Sequence, residues 1–449
     1  MSGIPLIVIF VLAIIVMIVA ISRYKIHPFL SIMTVSLIFG IIAGIPLAEL
    51  PKTIGDGFSG TFKSIGIVII FGALVGTLLE KTGAALRMAD IVVKVVGKKH
   101  PELAILLMGW IVSIPVFCDS GFVILNPIRK ALAKRTGASS VAMTVALSMG
   151  IYISHCFIPP TPGPIAAADA LGIGNNLLLV IILGAVLSIP PLIAGYLFAL
   201  YIGGKVKARD ESFDASLVKS YDQLIAEYGT LPGGFASFAP IIVPILLMAL
   251  ASALAMAKIS CPVLTFLGTP IIALAVGVVL GVMLLVSARK TDEFYKITNE
   301  TLMVVGPILF VTAAGGVLGK VISVSGMVQY ITANSNILSA IGIFFPFVLA
   351  AILKTAQGSS TVAITTTAGM LAPVMPALGL NTPVLSSLCV IAIGAGAMTV
   401  SHANDSYFWV VTNFGEMDPE QGYKTQTLGT LIIGVASMVG VYIAYLVLA

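Results

Sequence analysis

Two short polar segments interrupt long apolar stretches of this sequence, and both hold residues suited to binding. The first is Ser154-His155-Cys-Phe-Ile-Pro159-Pro160-Thr161-Pro162-Gly163-Pro164, and the second is Ser401-His402-Ala403-Asn404-Asp405-Ser406. No regular helix crosses the first segment, because its prolines remove amide donors and clash with the preceding turn. Carbonyls freed before a break suit cations or hydroxyls, and free amides after it suit a carboxylate. Both segments are therefore candidate binding sites.

Two acidic residues lie in apolar surroundings. Asp405 follows the apolar run 391–400, and Asp119 interrupts the apolar stretch 103–128. A charge at the centre of a bilayer costs about 2.5 kcal/mol or more unless something offsets it. A carboxyl in an environment of low dielectric can bind and release a proton near neutral pH, so we interpret both residues as candidate proton sites. The alternative for Asp405 is helix capping, which an Asn-Asp-Ser run also provides.

Other polar residues in apolar stretches extend the candidate site, each with a second interpretation. His155 and His402 can bind hydroxyls, carry protons or simply hydrogen-bond backbone groups. Lys354 can offer a cation to a carboxylate or extend its ammonium to the membrane interface. The run 357–361 offers hydroxyls and accessible amides to a polyhydroxylated anion, although small residues also pack helices closely. The candidate substrate-binding residues are Asp119, Ser120, Gly121, His155, Thr161, Gly163, Gln357, Gly358, Ser359, Ser360, Thr361, His402 and Asn404.

The elements that position these residues are predicted to be membrane-spanning helices. Of 449 residues, 58% are hydrophobic and only 10% are charged, which excludes an ordinary soluble protein. Continuous apolar windows of about 20 residues, the length that spans a bilayer, recur from residues 4–21 to residues 428–448. Outer-membrane barrels show short alternating segments instead. We therefore predict an all-α polytopic membrane protein, in contact with lipid.

Charge, cysteines and short motifs narrow the class of function. The net charge of +5 is spread over loops, so no nucleic acid is expected as a partner. Cys118, Cys156, Cys261 and Cys389 lie in apolar stretches without C-x-x-C spacing, which indicates free thiols rather than disulfides or a zinc site. The motifs H-E-x-x-H, G-x-S-x-G and G-x-x-x-x-G-K-[ST] do not occur. We expect no enzyme, no ATP-driven pump, no bound metal and no cofactor.

Basic residues predict the topology. No basic side chain precedes the first apolar window, whereas the next connection, residues 23–27, is basic, so the amino terminus is expected outside the cytoplasm. The stretch 103–128 has basic clusters at both ends, which favours a re-entrant hairpin with its tip at residues 117–121. Residues 351–373 form a second candidate hairpin, with the polar run 357–361 at its tip.

The two halves of the sequence resemble each other. Gly72-Ala-Leu-Val-Gly76 recurs as Gly315-Gly-Val-Leu-Gly319, an offset of 315 − 72 = 243 residues. The run 139–155, which begins with Ser-Ser and ends with Ser-His, recurs at 386–402, an offset of 402 − 155 = 247 residues. Similar offsets indicate a duplication, although chance similarity among small apolar residues is the alternative.

The duplication and the charge pattern together predict a domain organisation. We predict a first transmembrane repeat over residues 1–202, a cytoplasmic linker over 203–235 and a second repeat over 236–449. The first repeat begins by crossing inward and the second by crossing outward, so the repeats are inverted. Inverted repeats with interrupted helices near the midplane are the construction of many secondary transporters.

Three segments also resemble the gluconate permease family of bacterial proton symporters, within the ion transporter superfamily. They are Phe117-Cys-Asp119-Ser-Gly121-Phe-Val-Ile-Leu, His155 through Pro164, and Ser401 through Trp409. The resemblance spans essentially the full chain. It implies uptake of gluconate or a related aldonate with protons, an inner-membrane location, and an elevator-like transport domain built from the two hairpins and the two broken helices. Elevator-type relatives also suggest a homodimer.

The resemblance leaves the substrate open within a class of small organic acids. Family members that transport gluconate often have histidine between the prolines, where this chain has Thr161. The family also includes carriers for D-serine and other short hydroxy acids, and sodium is the alternative coupling ion. A channel, or an intramembrane enzyme with a metal site built from the two histidines and two aspartates, is the alternative of a different class.

Overall fold

The computed structural model describes residues 3–96, 100–208, 230–256, 259–327, 330, 342–402 and 405–448. Every regular element in these ranges is helical, as the continuous apolar windows predict. The α-helices are α1 (Ile4–Ser22), α2 (Pro28–Ala43), α3 (Leu50–Thr61), α4 (Ile67–Lys81), α5 (Ala84–Val96), α6 (Pro101–Val112), α7 (Cys118–Thr136), α8 (Ser140–Phe157), α9 (Pro162–Ala170), α10 (Leu177–Leu187), α11 (Ile189–Gly203), α12 (Gly234–Met256), α13 (Pro262–Leu267), α14 (Pro270–Ser287), α15 (Phe294–Val324), α16 (Phe344–Gln357), α17 (Ser360–Leu371), α18 (Pro383–Met398), α19 (Ser406–Phe414), α20 (Pro419–Gly422) and α21 (Leu428–Leu448).

Several of these helices have the length and composition of membrane spans. Within the described ranges, six helical stretches are long and apolar enough to cross a bilayer, or seven if α4 and α5, which meet at a 74° bend, form one span. Large apolar side chains on them, such as Leu197 and Val279, are exposed, as a lipid-facing surface requires. The prediction of an all-α, multi-pass membrane protein is confirmed.

Two helices, α8 and α18, are enclosed by protein. Every residue of α8 from 141 to 157 and of α18 from 385 to 398 is buried. The first packs against α6, α7, α11 and α18, and the second also packs against α16, α17 and α21. The two helical pairs α6–α7 and α16–α17 therefore lie against the two interrupted helices. The two helical pairs, together with the two interrupted helices (α8 with α9, and α18 with α19), are called the central unit.

Each helical pair turns at a short break, and the first break differs from the predicted one. Helix α6 ends at Val112 and α7 begins at Cys118, so the turn occupies 113–117 rather than the predicted 117–121. Pro115 lies in this turn, where its missing amide donor is not needed. Asp119 instead lies in the first turn of α7, because a carboxylate is favourable at the positive end of a helix dipole. The second break, at Gly358 and Ser359, lies within the predicted tip.

The repeated glycine motifs mark close backbone contacts with the central unit. A β-carbon added to Gly76 of α4 would overlap the carbonyl oxygen of Pro115, in the turn between α6 and α7. One added to Gly319 of α15 would lie 2.6 Å from the carbonyl oxygen of Gly369 in α17. Only glycine allows helices to approach this closely. The two motifs thus place α4 and α15 directly against the two helical pairs.

The positions at which α8 and α18 begin give an offset between the two halves. This offset is about one helical turn smaller than the offset of 247 residues given by the run from Ser-Ser to Ser-His. Ser139 and Thr382 cap α8 and α18, an offset of 382 − 139 = 243, which equals the offset of the glycine motifs. The Ser-Ser pair at 386–387 lies inside α18 rather than at its start. His155 belongs to the last turn of α8, whereas His402 follows the end of α18, so these histidines do not occupy matching positions.

The predicted linker is described only at its ends. Helix α11 ends at Gly203 and α12 begins at Gly234, and the predicted linker spans residues 203–235. Residues 209–229 of this segment lie outside the described ranges. The cytoplasmic location of the linker and the inversion of the repeats therefore stay predictions.

Candidate functional site

A cavity of about 340 Å³ lies where the two helical pairs meet the two interrupted helices. This size is within the range of small-molecule sites. Polar residues come from the starts of α7, α17 and α19 and from the end of α8, while α15 adds two apolar residues. The described residues that line it are Phe117, Cys118, Asp119, His155, Val304, Ile308, Gly358, Ser359, Ser360, Thr361, Asp405 and Ser406.

A second cavity, of about 370 Å³, lies between α3, α9, α15 and α17. Small residues such as Gly57, Gly316 and Gly369 make up much of its lining. It contains none of the candidate residues from the sequence, whereas the first cavity contains seven of them. We therefore assign the candidate site to the first cavity.

Three helices begin at this cavity. Their N-terminal caps are Phe117 for α7, Ser359 for α17 and Asp405 for α19. A helix N-terminus presents free amides and the positive end of the helix dipole, which favour an anion. Asp119 and Asp405 already place a carboxylate at α7 and α19, whereas α17 has no acid in its first turn. The start of α17 is therefore the end best suited to an anion from outside the protein.

Lys354 and Asp405 form a buried ion pair beside the cavity. The lysine Nζ lies 2.5 Å from Asp405 Oδ2, and the side chains are 0% and 5% exposed. The ammonium also donates to the backbone carbonyl of Gly358, in the turn between α16 and α17. This arrangement links the second helical pair to the break before α19. A lysine without such a partner would be costly at this depth.

Further donors hold the Asp405 carboxylate in place. Its Oδ2 accepts hydrogen bonds from Ser401 Oγ at 2.5 Å and from the Tyr152 hydroxyl at 3.3 Å. Its Oδ1 accepts the Tyr407 backbone amide at 3.0 Å, which caps α19. The capping interpretation of Asp405 is thus confirmed, and the same side chain also serves as the counter-ion of Lys354.

Asp119 is bound much more loosely. Its Oδ2 accepts a hydrogen bond from Ser406 Oγ at 3.5 Å and lies 3.8 Å from the Cys118 sulfur. Its Oδ1 is buried and has no hydrogen-bond partner among the described residues. No lysine, arginine or histidine of the described chain forms an ion pair with it. One carboxylate oxygen of Asp119 is therefore available to a ligand.

His155 lines the cavity from the last turn of α8. Its side chain is 3% exposed, and Nε2 lies 3.4 Å from Thr361 Oγ1 in α17. Its Nδ1 is buried without a hydrogen-bond partner in the described part of the chain. A buried polar nitrogen without a partner is unfavourable, so it indicates a place for a ligand hydroxyl or a water molecule.

Four candidates from the sequence lie outside the cavity lining. The Thr161 hydroxyl donates to carbonyls freed by the proline break, at 2.9 Å to those of His155 and Ile158. Gly163 packs against Ile364 of α17. Gly121 faces the turn before α7, and His402 lies 3.1 Å through Nε2 from the Thr355 carbonyl. In the structure, two of these four residues hydrogen-bond to backbone carbonyls, and the two glycines allow close packing.

The structure leaves three candidates partly or wholly undescribed. Asn404 lies outside the described ranges. Ser120 and Gln357 belong to α7 and α16, but their side chains are not described. Their roles stay predictions.

Sequence reasoning left Lys354, Ser401 and Tyr152 out of the candidate set. Lys354 was open to two interpretations, a cation for the substrate or a chain extending to the interface, and it instead pairs with Asp405. One signal for this pair exists in the sequence, since a lone lysine and a lone acid each lie at a helix break within apolar stretches. Nothing local marks Tyr152, which contacts Asp405 across 253 residues of sequence.

The comparison with known protein families covers almost the whole chain. The family model for GntP family permeases matches residues 4–447. A permease of Haemophilus influenzae is 33% identical over 426 residues, covering 92% of this chain and 86% of that protein. A gluconate permease of Zymomonas mobilis is 30% identical over 441 residues, covering 95% of each chain.

A solved structure shares the fold. MtrF of Neisseria gonorrhoeae, described among a class of antimetabolite efflux pumps, aligns with a TM-score of 0.66 at 15% identity, covering 95% of this chain and 96% of that one. At this identity the likeness extends to the fold alone. The relatives found are permeases and transporters rather than enzymes, which confirms the family and the non-enzymatic class that the sequence predicts. The chain belongs to the GntP family of permeases and is a multi-pass membrane transporter.

Proposed function

We propose that this transporter imports gluconate or a related small hydroxy or sugar acid across the bacterial inner membrane together with protons. The relative from Z. mobilis, named a gluconate permease, supports the substrate class. Two features of the cavity carry the proposal. The start of α17, which lines it, has no acidic residue in its first turn, and His155, which also lines it, has an Nδ1 without a hydrogen-bond partner among the described residues. The first suits a carboxylate and the second suits a hydroxyl.

The arrangement supports one orientation of a bound hydroxy acid. The substrate carboxylate lies at Ser359, Ser360 and Thr361, where amides and hydroxyls can donate to it. Its hydroxyl-bearing chain extends toward His155 and Ser406, which also line the cavity. Val304 and Ile308 of α15 complete the wall without adding charge. Substrates with a carboxylate and neighbouring hydroxyls fit this distribution of polar groups.

We further propose that the central unit moves as one body against α4 and α15, in an elevator-like manner. The contacts at Gly76 and Gly319 are backbone to backbone, so few side chains interlock across them. The cavity is lined mainly by residues of the central unit, so a movement of that unit would carry the bound substrate with it. Inverted halves and a homodimer belong to the same proposal.

The position of Lys354 favours protons over sodium as the coupling ion. A bound alkali cation needs a cluster of oxygen ligands, such as the Gly358 carbonyl and the Asp405 carboxylate. The lysine ammonium already binds both oxygens. A second candidate substrate, D-serine, is favoured by one observation, since its ammonium would find a partner in the free oxygen of Asp119.

The direct test is uptake into proteoliposomes under an imposed pH gradient. Gluconate, D-glycerate, D-serine and tartrate are compared, each with and without a sodium gradient. We expect gluconate to accumulate when the interior is alkaline, independently of sodium. Accumulation that requires sodium contradicts proton coupling, and a preference for D-serine contradicts the substrate class. Flux that does not saturate and does not accumulate would indicate a channel.

A further inference from the structure

We propose that Asp119 carries the coupling proton and that Asp405 stays bound to Lys354 as a fixed ion pair. This inference rests on the proposed uptake of an anionic hydroxy acid with protons. The sequence offers both carboxylates as proton sites. Their contacts in the structure are different enough to assign them separate roles.

The first step concerns Asp405, both of whose carboxylate oxygens accept hydrogen bonds. Oδ2 binds the Lys354 ammonium, the Ser401 hydroxyl and the Tyr152 hydroxyl, and Oδ1 accepts the Tyr407 amide. A proton on this carboxylate would leave the lysine charge buried without a counter-ion. Removing one partner of a buried ion pair is strongly destabilising, because the other charge is left buried and unpaired. Asp405 therefore serves as the counter-ion of Lys354 and as a positioning residue for the break between α16 and α17.

The second step concerns Asp119, which lines the cavity and whose Oδ1 has no hydrogen-bond partner among the described residues. The titratable and charged groups around it are Cys118 on its own helix, His155 on α8, Tyr407 and Asp405 from the α19 region, and Lys354 behind Asp405. The charges of Lys354 and Asp405 cancel each other. The ionisation state of Asp119 consequently decides whether the cavity carries a net negative charge.

The third step connects this charge to the substrate. When Asp119 is ionised, it repels a carboxylate that approaches the start of α17. When it is protonated, the repulsion disappears and the carboxyl hydroxyl can donate a hydrogen bond to the substrate. Substrate and proton then favour each other's binding reciprocally, as thermodynamic linkage requires. This is the condition for moving both in the same direction.

The test measures proton uptake when gluconate binds to the purified transporter in weakly buffered solution. Wild-type protein should take up about one proton per gluconate, and its affinity should fall about tenfold per pH unit once Asp119 is ionised. Asp119→Asn should bind gluconate with no proton uptake and no pH dependence, because the amide is a permanent neutral donor. Asp405→Asn should keep the proton uptake, although with weaker binding. Asp292→Asn, an exposed matched control, should behave as wild type.

Three results would overturn the assignment. The first is proton uptake by Asp119→Asn that equals wild type. The second is complete loss of gluconate binding in a stably folded Asp119→Asn, since the amide meets the requirement for a neutral donor. The third is loss of proton uptake in Asp405→Asn together with normal proton uptake in Asp119→Asn. Each of these results contradicts only the role assigned to Asp119 and is compatible with the proposed function. Failure of the wild-type protein to bind gluconate would instead contradict the proposed function itself.

A spectroscopic measurement on well-folded protein gives an independent test. Gluconate binding to wild type should add the infrared carbonyl band of a protonated carboxyl. The band should shift in Asp119→Glu, which keeps the carboxyl but changes its position, and should be unchanged in Asp292→Asn. Absence of an added band in a sample that binds gluconate contradicts protonation of Asp119.

Discussion

Lys354 and Asp405 lie 51 residues apart in sequence and meet in a buried ion pair, with Nζ 2.5 Å from Oδ2. The pair joins the turn between α16 and α17 to the break before α19. It therefore fixes two borders of the cavity relative to each other. The same contact uses the charge of the lysine, so Lys354 is not available as a cation for a substrate carboxylate.

The ion pair predicts a characteristic pattern of stability. Lys354→Met leaves the Asp405 charge buried and uncompensated, so it should lower the free energy of unfolding by about 3 kcal/mol or more. The double variant Lys354→Met, Asp405→Asn removes both charges and should recover part of that loss. Thermal unfolding in detergent measures both effects. Lys296→Met, whose side chain is 78% exposed, is the matched control and should change little. Equal losses in the single and double variants would contradict the coupling.

His155 should affect substrate affinity more than stability. It lines the cavity, links α8 to Thr361, and its Nδ1 has no hydrogen-bond partner among the described residues. His155→Gln should raise the KM for gluconate uptake about tenfold, the loss expected for roughly one hydrogen bond to substrate. Initial uptake rates over a concentration series measure this. His100→Gln, at an exposed position before α6, should leave KM unchanged. An unchanged KM in His155→Gln would remove this histidine from the substrate site.

Gly358 should be required for its backbone conformation. Its φ is +87°, a left-handed conformation that costs other residues about 1 to 2 kcal/mol. Gly172 has a φ of +81°, lies away from the cavity and has open space around it. Gly358→Ala and Gly172→Ala should therefore lose similar stability, but only the first should reduce gluconate uptake. If both variants reduce uptake per folded molecule equally, the second turn has no special role.

The contact between α15 and α17 should tolerate no added methyl group. A β-carbon at position 319 would lie 2.6 Å from the Gly369 carbonyl oxygen, so Gly319→Ala must push the helices apart. We expect a loss of stability of about 1 to 3 kcal/mol and slower uptake. Gly306→Ala adds the same group to the same helix at a position with no atom within 4 Å. That control should be as stable as wild type, and a full loss of uptake in it would contradict the packing argument.

The sequence predicted the elements of the fold better than their contacts. Continuous apolar windows and proline-rich breaks are local features, so the helices, the two turns and the two interruptions were accessible from residue types alone. Asp119 was correctly associated with the first turn but was placed at its tip, because an acid inside an apolar run indicates a break without fixing on which side of the acid the break lies. The proline four residues earlier was the better marker.

The partners within the site were less accessible to sequence reasoning. Which donors surround Asp405 depends on three-dimensional contacts, such as that of Tyr152 from α8, which no local pattern encodes. His402 and Thr161 were included for their residue types, yet both bind backbone carbonyls. Helix breaks free carbonyls as well as creating ligand sites, and a polar side chain near a break serves either purpose.

The buried ion pair also has a consequence for biogenesis. Because synthesis proceeds from the amino terminus, the segment with Lys354 leaves the ribosome 51 residues before Asp405 does. Until Asp405 arrives, the lysine has no counter-ion in the bilayer, so the α16–α17 pair cannot settle at its final depth before Asp405 has been synthesised. Insertion of the segment from α16 to α21 should thus be completed as one late step, after the break before α19 has been made.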